Sequence, residues 1–162
     1  MPQATVSMAF GQLNDGYAHL MCKAPTRKNL AVKWIAIVGA LLAAVGVGLG
    51  AFGAHGLEDQ LRRLGHEASL GKRLAWFETA VRYQLYHALG MLVIAALAMG
   101  APSGWSRAAA SLFVLGIALF SGSLYVMTFA GDAWRKLGMI TPLGGLAFIV
   151  GWLLVAVAIW KK

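Results

Sequence analysis

The chain has 162 residues, of which 59% are hydrophobic and only 12% are charged, with a formal net charge of +8. A soluble domain carries about 25% charged residues, so this composition excludes a soluble globular protein, a coiled coil and a disordered chain. The charges are also segregated. Asp, Glu, Lys and Arg are absent from four windows of 24 residues each, 34–57, 83–106, 108–131 and 137–160. Because a membrane-spanning helix needs roughly 20 apolar residues, the sequence predicts four spans.

The basic residues flank these windows. Arg27, Lys28 and Lys33 precede the first window, and Lys161 and Lys162 follow the last. Such positions are typical of side chains that contact lipid phosphates and orient a protein in the bilayer. Since the chain contains no nucleic-acid-binding motif, we expect the lipid bilayer as its partner and no nucleic acid.

Residues 1–33 are polar and lack periodicity, which predicts an N-terminal tail before a membrane domain over 34–162. The first span is predicted over about 34–54. One face of this span carries small residues at helical spacing, namely Gly39, Ala43, Gly46, Gly50 and Gly53. Small residues let helix backbones approach closely in lipid, where no hydrophobic drive brings helices together. We interpret the stripe as helix packing within the bundle, with a dimer contact as the alternative.

Residues 55–82 form the longest and most charged loop. Its second half carries an apolar stripe at helical spacing, made of Leu70, Leu74, Phe77, Val81 and Leu85. Lys72, Glu78 and Arg82 lie off that stripe. The pattern predicts an amphipathic helix that lies at the membrane interface and runs into a second span over about 83–99.

The third and fourth spans are predicted over about 108–129 and 140–160. Thr141 and Pro142 mark the start of the fourth, because threonine can cap a helix and proline fits the first turn. Tryptophans lie near the predicted boundaries, as in an aromatic belt: Trp34, Trp76, Trp105, Trp134 and Trp160. The predicted fold is all-α, an integral membrane antiparallel four-helix bundle with an amphipathic interfacial helix between the first and second spans.

This topology gathers polar residues at one membrane face, because the end of the first and third spans and the start of the second and fourth lie together. The predicted polar cluster consists of His55, Tyr83, Gln84, His87, Ser121, Ser123, Tyr125 and Thr141. These residues form either a ligand or partner surface, or a set of hydrogen bonds between helices that fixes their register.

Within the cluster, His55 and His87 are the candidate cofactor ligands. His87 lies about four residues, hence about 6 Å, into the predicted second span, so its depth is expected to match that of His55. Two histidines on facing helices can ligate haem iron or another metal. The alternative is no cofactor, with each imidazole hydrogen-bonded to a neighbouring group.

The usual signatures of phosphate, zinc-protease and hydrolase sites are absent, so no catalytic residue is predicted and we expect a protein that is not an enzyme. Ion-coupled transport normally requires acids or bases within the membrane, and the four windows contain none of Asp, Glu, Lys or Arg. A small permease or channel lined by the polar cluster is kept as a further alternative.

Four motifs, in order, resemble the YgdD-like family of small membrane proteins, which includes the animal transmembrane protein 256. The motifs are Gly50–His55, Tyr83–His87, Leu119–Tyr125 and Ile140–Gly145. The resemblance implies a multi-spanning protein of the bacterial inner membrane, or of eukaryotic membranes, with no assigned activity. It carries over no catalytic residues.

These observations favour an accessory or stabilising subunit of a larger membrane complex, with other membrane-protein subunits as partners. A redox or ligand-binding protein that uses His55 and His87 is the alternative. An even number of spans puts both termini on the same side of the membrane. Seven Lys and Arg lie on each side, and subtracting the acidic residues favours termini in the cytoplasm.

Overall fold

The computed structural model of the protein describes residues 27–99 and 103–161. Within these residues every regular element is a helix. Four segments are long and apolar enough to cross a membrane, namely Val32–His55, Glu67–Ala98, Gly104–Phe129 and Ala133–Trp160. The predicted helical class and the four spans are therefore confirmed.

The described α-helices are α1 (Arg27–His55), α2 (Leu57–Arg63), α3 (Leu70–Ala98), α4 (Gly104–Gly116), α5 (Gly122–Phe129) and α6 (Thr141–Trp160). A 3-10 turn, Glu67–Ser69, precedes α3, and a 3-10 helix, Asp132–Met139, precedes α6. A π-helical segment, Ile117–Ser121, joins α4 directly to α5. The third span is therefore one continuous helix with a π-helical turn near its centre.

As predicted, the amphipathic helix that begins at Leu70 runs without a break into the second span, but the segment apolar enough to cross the membrane is Glu67–Ala98 rather than 83–99. The charged residue Arg82 marks the start of a charge-free window but does not interrupt the helix. Residues 70–82 contain no proline, and their one glycine, Gly71, lies in the first turn. The 29 residues of α3 extend about 44 Å, which exceeds a hydrocarbon core of about 30 Å.

The apolar stripe at the start of α3 packs on protein. Phe77 and Val81 are buried together with Leu57 and Leu61 of α2, and the other members of the stripe are partly buried against them. The amphipathic pattern is thus explained by the short helix α2, which covers this end of α3.

Four of the five glycines of α1 face α3. A Cβ atom built on Gly39 would lie 3.0 Å from the carbonyl oxygen of Ala88, and one on Gly46 would lie 2.8 Å from the Leu85 side chain. Gly50 and Gly53 meet Val81 and Phe77 in the same way, and Ala43 is half-buried. Only 17% of the most apolar stretch of this first span is buried, against 50% for the second. The first helix is therefore attached to the bundle along one side.

The main core lies between α3, α4 and α6. Its largest buried side chains include Met91, Phe113 and Phe148. The close packing depends on glycine: a Cβ atom on Gly116 would lie 2.5 Å from the Phe148 ring, and one on Gly144 would lie 2.4 Å from the Phe120 backbone nitrogen.

Two local predictions are corrected at the helix starts. Residues 27–33 of the predicted tail belong to α1, and residues 1–26 lie outside the described residues. The helix α6 begins at Thr141 with Pro142 in its first turn, as predicted, but Thr141 does not cap it. Its hydroxyl lies 2.7 Å from the Ser123 hydroxyl and 3.4 Å from the Leu137 carbonyl oxygen, because the residue already lies inside the helix.

Candidate functional site

The predicted polar cluster is divided between a buried hydrogen-bond network, a group of packed aromatic rings and an open cleft. The centre of the network is Gln84 on α3, which is 3% exposed. Its Nε2 donates to the Leu42 carbonyl oxygen of α1 at 2.9 Å, and the Tyr125 hydroxyl of α5 donates to its Oε1 at 2.9 Å. One amide therefore links three helices.

Hydroxyl residues add two further links, one of which reaches the fourth span. Ser121 donates to the Ala80 carbonyl oxygen at 2.9 Å, which links the π-helical segment to α3. The Ser123 and Thr141 hydroxyls lie 2.7 Å apart and link α5 to α6. Within the described part of the chain, every fully buried side-chain nitrogen or oxygen has a partner. Polar groups that are already hydrogen-bonded within the protein hold the helices in register and are not open to a ligand.

His87 lies in an aromatic environment. Its ring stacks on Phe148 with centroids 3.4 Å apart, and it packs edge-on against Phe113. Its Nδ1 donates to the Tyr83 carbonyl oxygen at 2.7 Å, one helical turn earlier. The Tyr83 ring in turn stacks on Phe120 at 4.6 Å. The imidazole thus packs as one member of the aromatic core between α3, α4 and α6.

His55 is exposed at the end of α1 and does not approach His87. Since Gly39 packs on Ala88 and Gly46 on Leu85, His87 is level with a position near residue 43 of α1. His55 lies twelve residues farther along, about 18 Å at the rise of an α-helix. The predicted match in depth is therefore wrong, because the second span begins well before residue 83 and His87 lies in the middle of α3. No group of three His, Cys, Asp or Glu that could hold a metal occurs among the described residues.

Arg73 is a central residue that the sequence analysis missed. It is 2% exposed, and its Nη1 donates to the carbonyl oxygens of Met127, Thr128 and Ala130 at 2.9, 2.7 and 2.8 Å. The guanidinium thus satisfies the carbonyl groups at the end of α5, where the helix dipole favours a positive charge. Its position, three residues after Leu70 and four before Phe77, is on the apolar stripe. That helical spacing is the signal that could have identified it.

A cleft of about 850 Å³ opens between α1, α2 and the first half of α3. Its walls include Gly53, Phe77 and Val81, and charged and polar side chains line it as well, namely His55, Glu58, Asp59, Glu78 and Arg82. Glu78 and Arg82, four residues apart, form an ion pair. Glu58 pairs with Arg62 at 2.7 Å, and this hydrogen bond raises the pKa of Arg62. The cleft combines an apolar floor with charges of both signs.

Comparison of the sequence with known proteins identifies a family and several relatives. Residues 49–145, which include most of the cleft and network, match the family model described as protein of unknown function (DUF423). The chain is 44% identical to the UPF0382 membrane protein YwdK of Bacillus subtilis over 131 residues, or 80% of this chain and 98% of that protein. It is 33% identical to the UPF0382 inner membrane protein YgdD of Escherichia coli over 125 residues, or 77% and 88%. No solved structure matches the chain.

Proposed function

The chain belongs to the DUF423 family of membrane proteins, and from this premise we propose that it is a non-enzymatic accessory or stabilising subunit of a larger membrane complex. By analogy with its relative named an inner membrane protein, it acts in the bacterial inner membrane. Its partner is another integral membrane protein, and α1 supplies the contact.

The observation that carries this proposal is the outward face of α1. Four glycines of α1 pack on α3, whereas a second stripe of small residues points away from the bundle: Ala40, Ala44, Gly48 and Ala51, all exposed. A Cβ atom built on Gly48 would meet nothing within 4 Å. Small residues at spacings of three and four allow a second helix to approach the backbone closely. The low burial of the first span leaves this face available for a partner helix.

The polar residues support a structural rather than a catalytic role. Gln84, Ser121 and Ser123 are engaged in hydrogen bonds between helices, so they are not free to line a permeation path. A redox centre at His55 and His87 would require the two imidazoles to meet, and their separation along the helices argues against it.

The test is co-purification from native membranes in a mild detergent. We expect the natural protein to retain a stoichiometric membrane-protein partner and Gly48→Leu to lose it, because the leucine side chain keeps the partner backbone away. Ala156→Leu, at an exposed position of α6, is the matched control and is expected to retain the partner. Recovery of a free monomer, of a dimer of this chain alone, or of the partner with Gly48→Leu would contradict the proposal.

A further inference from the structure

The open cleft between α1, α2 and α3 is distinct from the outward face of α1, and the depth of its charges is unusual. Glu78 and Arg82 line the cleft, and their side chains are 70% and 52% exposed. A charged pair on the surface of a membrane protein is unremarkable in the head-group region, but within the hydrocarbon it marks a functional site. The packing of the spans shows whether this pair lies in the head-group region or in the hydrocarbon.

The centres of three charge-free windows meet α3 at neighbouring residues. The contacts are Gly46 with Leu85, Phe120 with Tyr83 at 4.6 Å between ring centroids, and Phe148 with His87 at 3.4 Å. Since each of these windows is expected to be centred in the bilayer, the membrane midplane lies near residues 83–87 of α3. The charge-free window of the second span begins only at residue 83. The first half of α3 therefore carries charges at depths where the other three spans carry none.

This register places both charges inside the hydrocarbon. Arg82 lies within about one helical turn of the midplane, and Glu78 lies about 10 Å from it. The hydrocarbon of one leaflet is about 15 Å thick. Water, local thinning of the bilayer or a polar ligand must therefore compensate the pair. The cleft runs from these residues to the rim formed by His55, Glu58 and Asp59, which gives such a ligand a route from the membrane surface.

The charges of the cleft select the class of ligand. Glu58 is paired with Arg62 and Glu78 with Arg82, and Asp59 adds a further carboxylate, so negative charge is in slight excess at the cleft. A ligand with only negative charge is disfavoured by this balance, whereas one that carries both an ammonium and a phosphate finds partners for each. The apolar walls at Phe77, Val81 and neighbouring residues suit an acyl chain. The cleft volume of about 850 Å³ is within the usual range of ligand sites.

We propose that this cleft binds the head group and upper acyl chain of a zwitterionic, amine-bearing phospholipid of the phosphatidylethanolamine type. The phosphate contacts Arg82, and the ammonium contacts the carboxylates of Asp59 and Glu78. The head group of this lipid lies deeper in the membrane than the head groups of the surrounding leaflet. It covers the ion pair of Glu78 and Arg82, which would otherwise face hydrocarbon. Neither contact involves the outward face of α1, so lipid binding and partner binding are tested separately.

The experiment is native mass spectrometry of the full chain, extracted in mild detergent and mixed with equal amounts of phosphatidylethanolamine and phosphatidylglycerol. We expect one retained phosphatidylethanolamine per chain. Arg82→Gln is expected to weaken its retention about tenfold, since a charge-assisted contact is lost. Ala54→Trp, which fills the cleft from an exposed position on α1, is expected to abolish retention.

Two matched variants outside the cleft are the controls. Arg107→Gln removes an exposed arginine at the other end of the bundle, and Ala156→Trp adds an indole on α6, so both are expected to retain the lipid. Circular dichroism verifies that each variant is folded, and Glu78→Gln replaces Arg82→Gln if the latter is not. Equal retention of the two lipids, preference for phosphatidylglycerol, no retained lipid, or retention unchanged in the cleft variants would each overturn the proposal.

Discussion

At the scale of single residues, the polar side chains of the bundle stabilise it by bridging helices. Gln84 is the best example, because its amide bonds to the backbone of α1 and to the Tyr125 hydroxyl of α5 at once. The sequence identified both residues as members of a polar cluster but not as partners. The pairing of hydroxyl and amide groups depends on how each helix is rotated about its own axis, and this rotation is determined by apolar packing.

We predict that Gln84 and Tyr125 are energetically coupled. A double-mutant cycle with Gln84→Leu and Tyr125→Phe is expected to give a coupling energy of about 0.6 kcal/mol, and at most about 1.7 kcal/mol, as for other hydrogen bonds within membranes. The free energy of unfolding is measured by circular dichroism in mixed micelles with increasing denaturing detergent. Additive effects of the two substitutions would show that this hydrogen bond contributes nothing to stability.

Arg73 is predicted to be a stabilising residue of the bundle. In Arg73→Met the carbonyl groups of Met127, Thr128 and Ala130 lose a charged donor, so the free energy of unfolding should fall by about 2–3 kcal/mol. Arg63→Met, at an exposed position of α2, is the control and should change it by less than about 0.5 kcal/mol. Similar effects of the two substitutions in the same unfolding assay would refute this role.

At the scale of the elements, glycines determine how closely the helices approach. The stripe on α1 was predicted to pack within the bundle, and the structure places Gly39, Gly46 and Gly53 against α3. The glycines of α6 and α4 were not predicted as contacts. Gly144 lies against the backbone of the π-helical segment, and Gly116 lies under the Phe148 ring. Glycines are so abundant in this sequence that only the partner helix reveals which of them are buried.

We predict opposite effects for alanine at two helical glycines. Gly144→Ala should lower the free energy of unfolding by about 1–3 kcal/mol, because its methyl group would overlap the backbone at Phe120. Gly48→Ala should raise it by about 0.5–1 kcal/mol, because its methyl group meets open space and alanine favours a helix. Thermal unfolding in the same detergent provides the comparison, and a stabilising effect of Gly144→Ala would show that α6 does not pack there.

At the scale of the whole molecule, the four spans place the two ends of the described chain on one side. Trp160 ends α6 near the turn that begins α4, and the Lys161 ammonium lies 4.9 Å from the Trp105 ring. The loops that carry α2 and the second 3-10 helix lie at the opposite end. The bundle is asymmetric, since α3 and the third span are central while α1 lies at its edge.

We predict that the termini face the cytoplasm. A reporter that is active only in the cytoplasm should be active when fused after Lys162. In a Cys22→Ser background, which removes the only cysteine, Ala68→Cys should react with a membrane-impermeant thiol reagent in intact spheroplasts. The reason for this orientation is the excess of acidic residues in the two loops, because Lys and Arg are equally divided between the two sides. An inactive reporter together with a protected Ala68→Cys would establish the inverse orientation, and discordant results would refute the four-span topology.

The sequence by itself determined the helical class, the number of spans and the residues available for polar contacts. These follow from hydropathy and charge along the chain, which are local properties. Only the tertiary structure decided where the second span begins, that His55 and His87 lie apart, and that Arg73 is buried. The reason is that depth and partnership depend on the register between helices. That register is determined by contacts between residues far apart in the chain, such as Gly39 with Ala88 and Phe148 with His87.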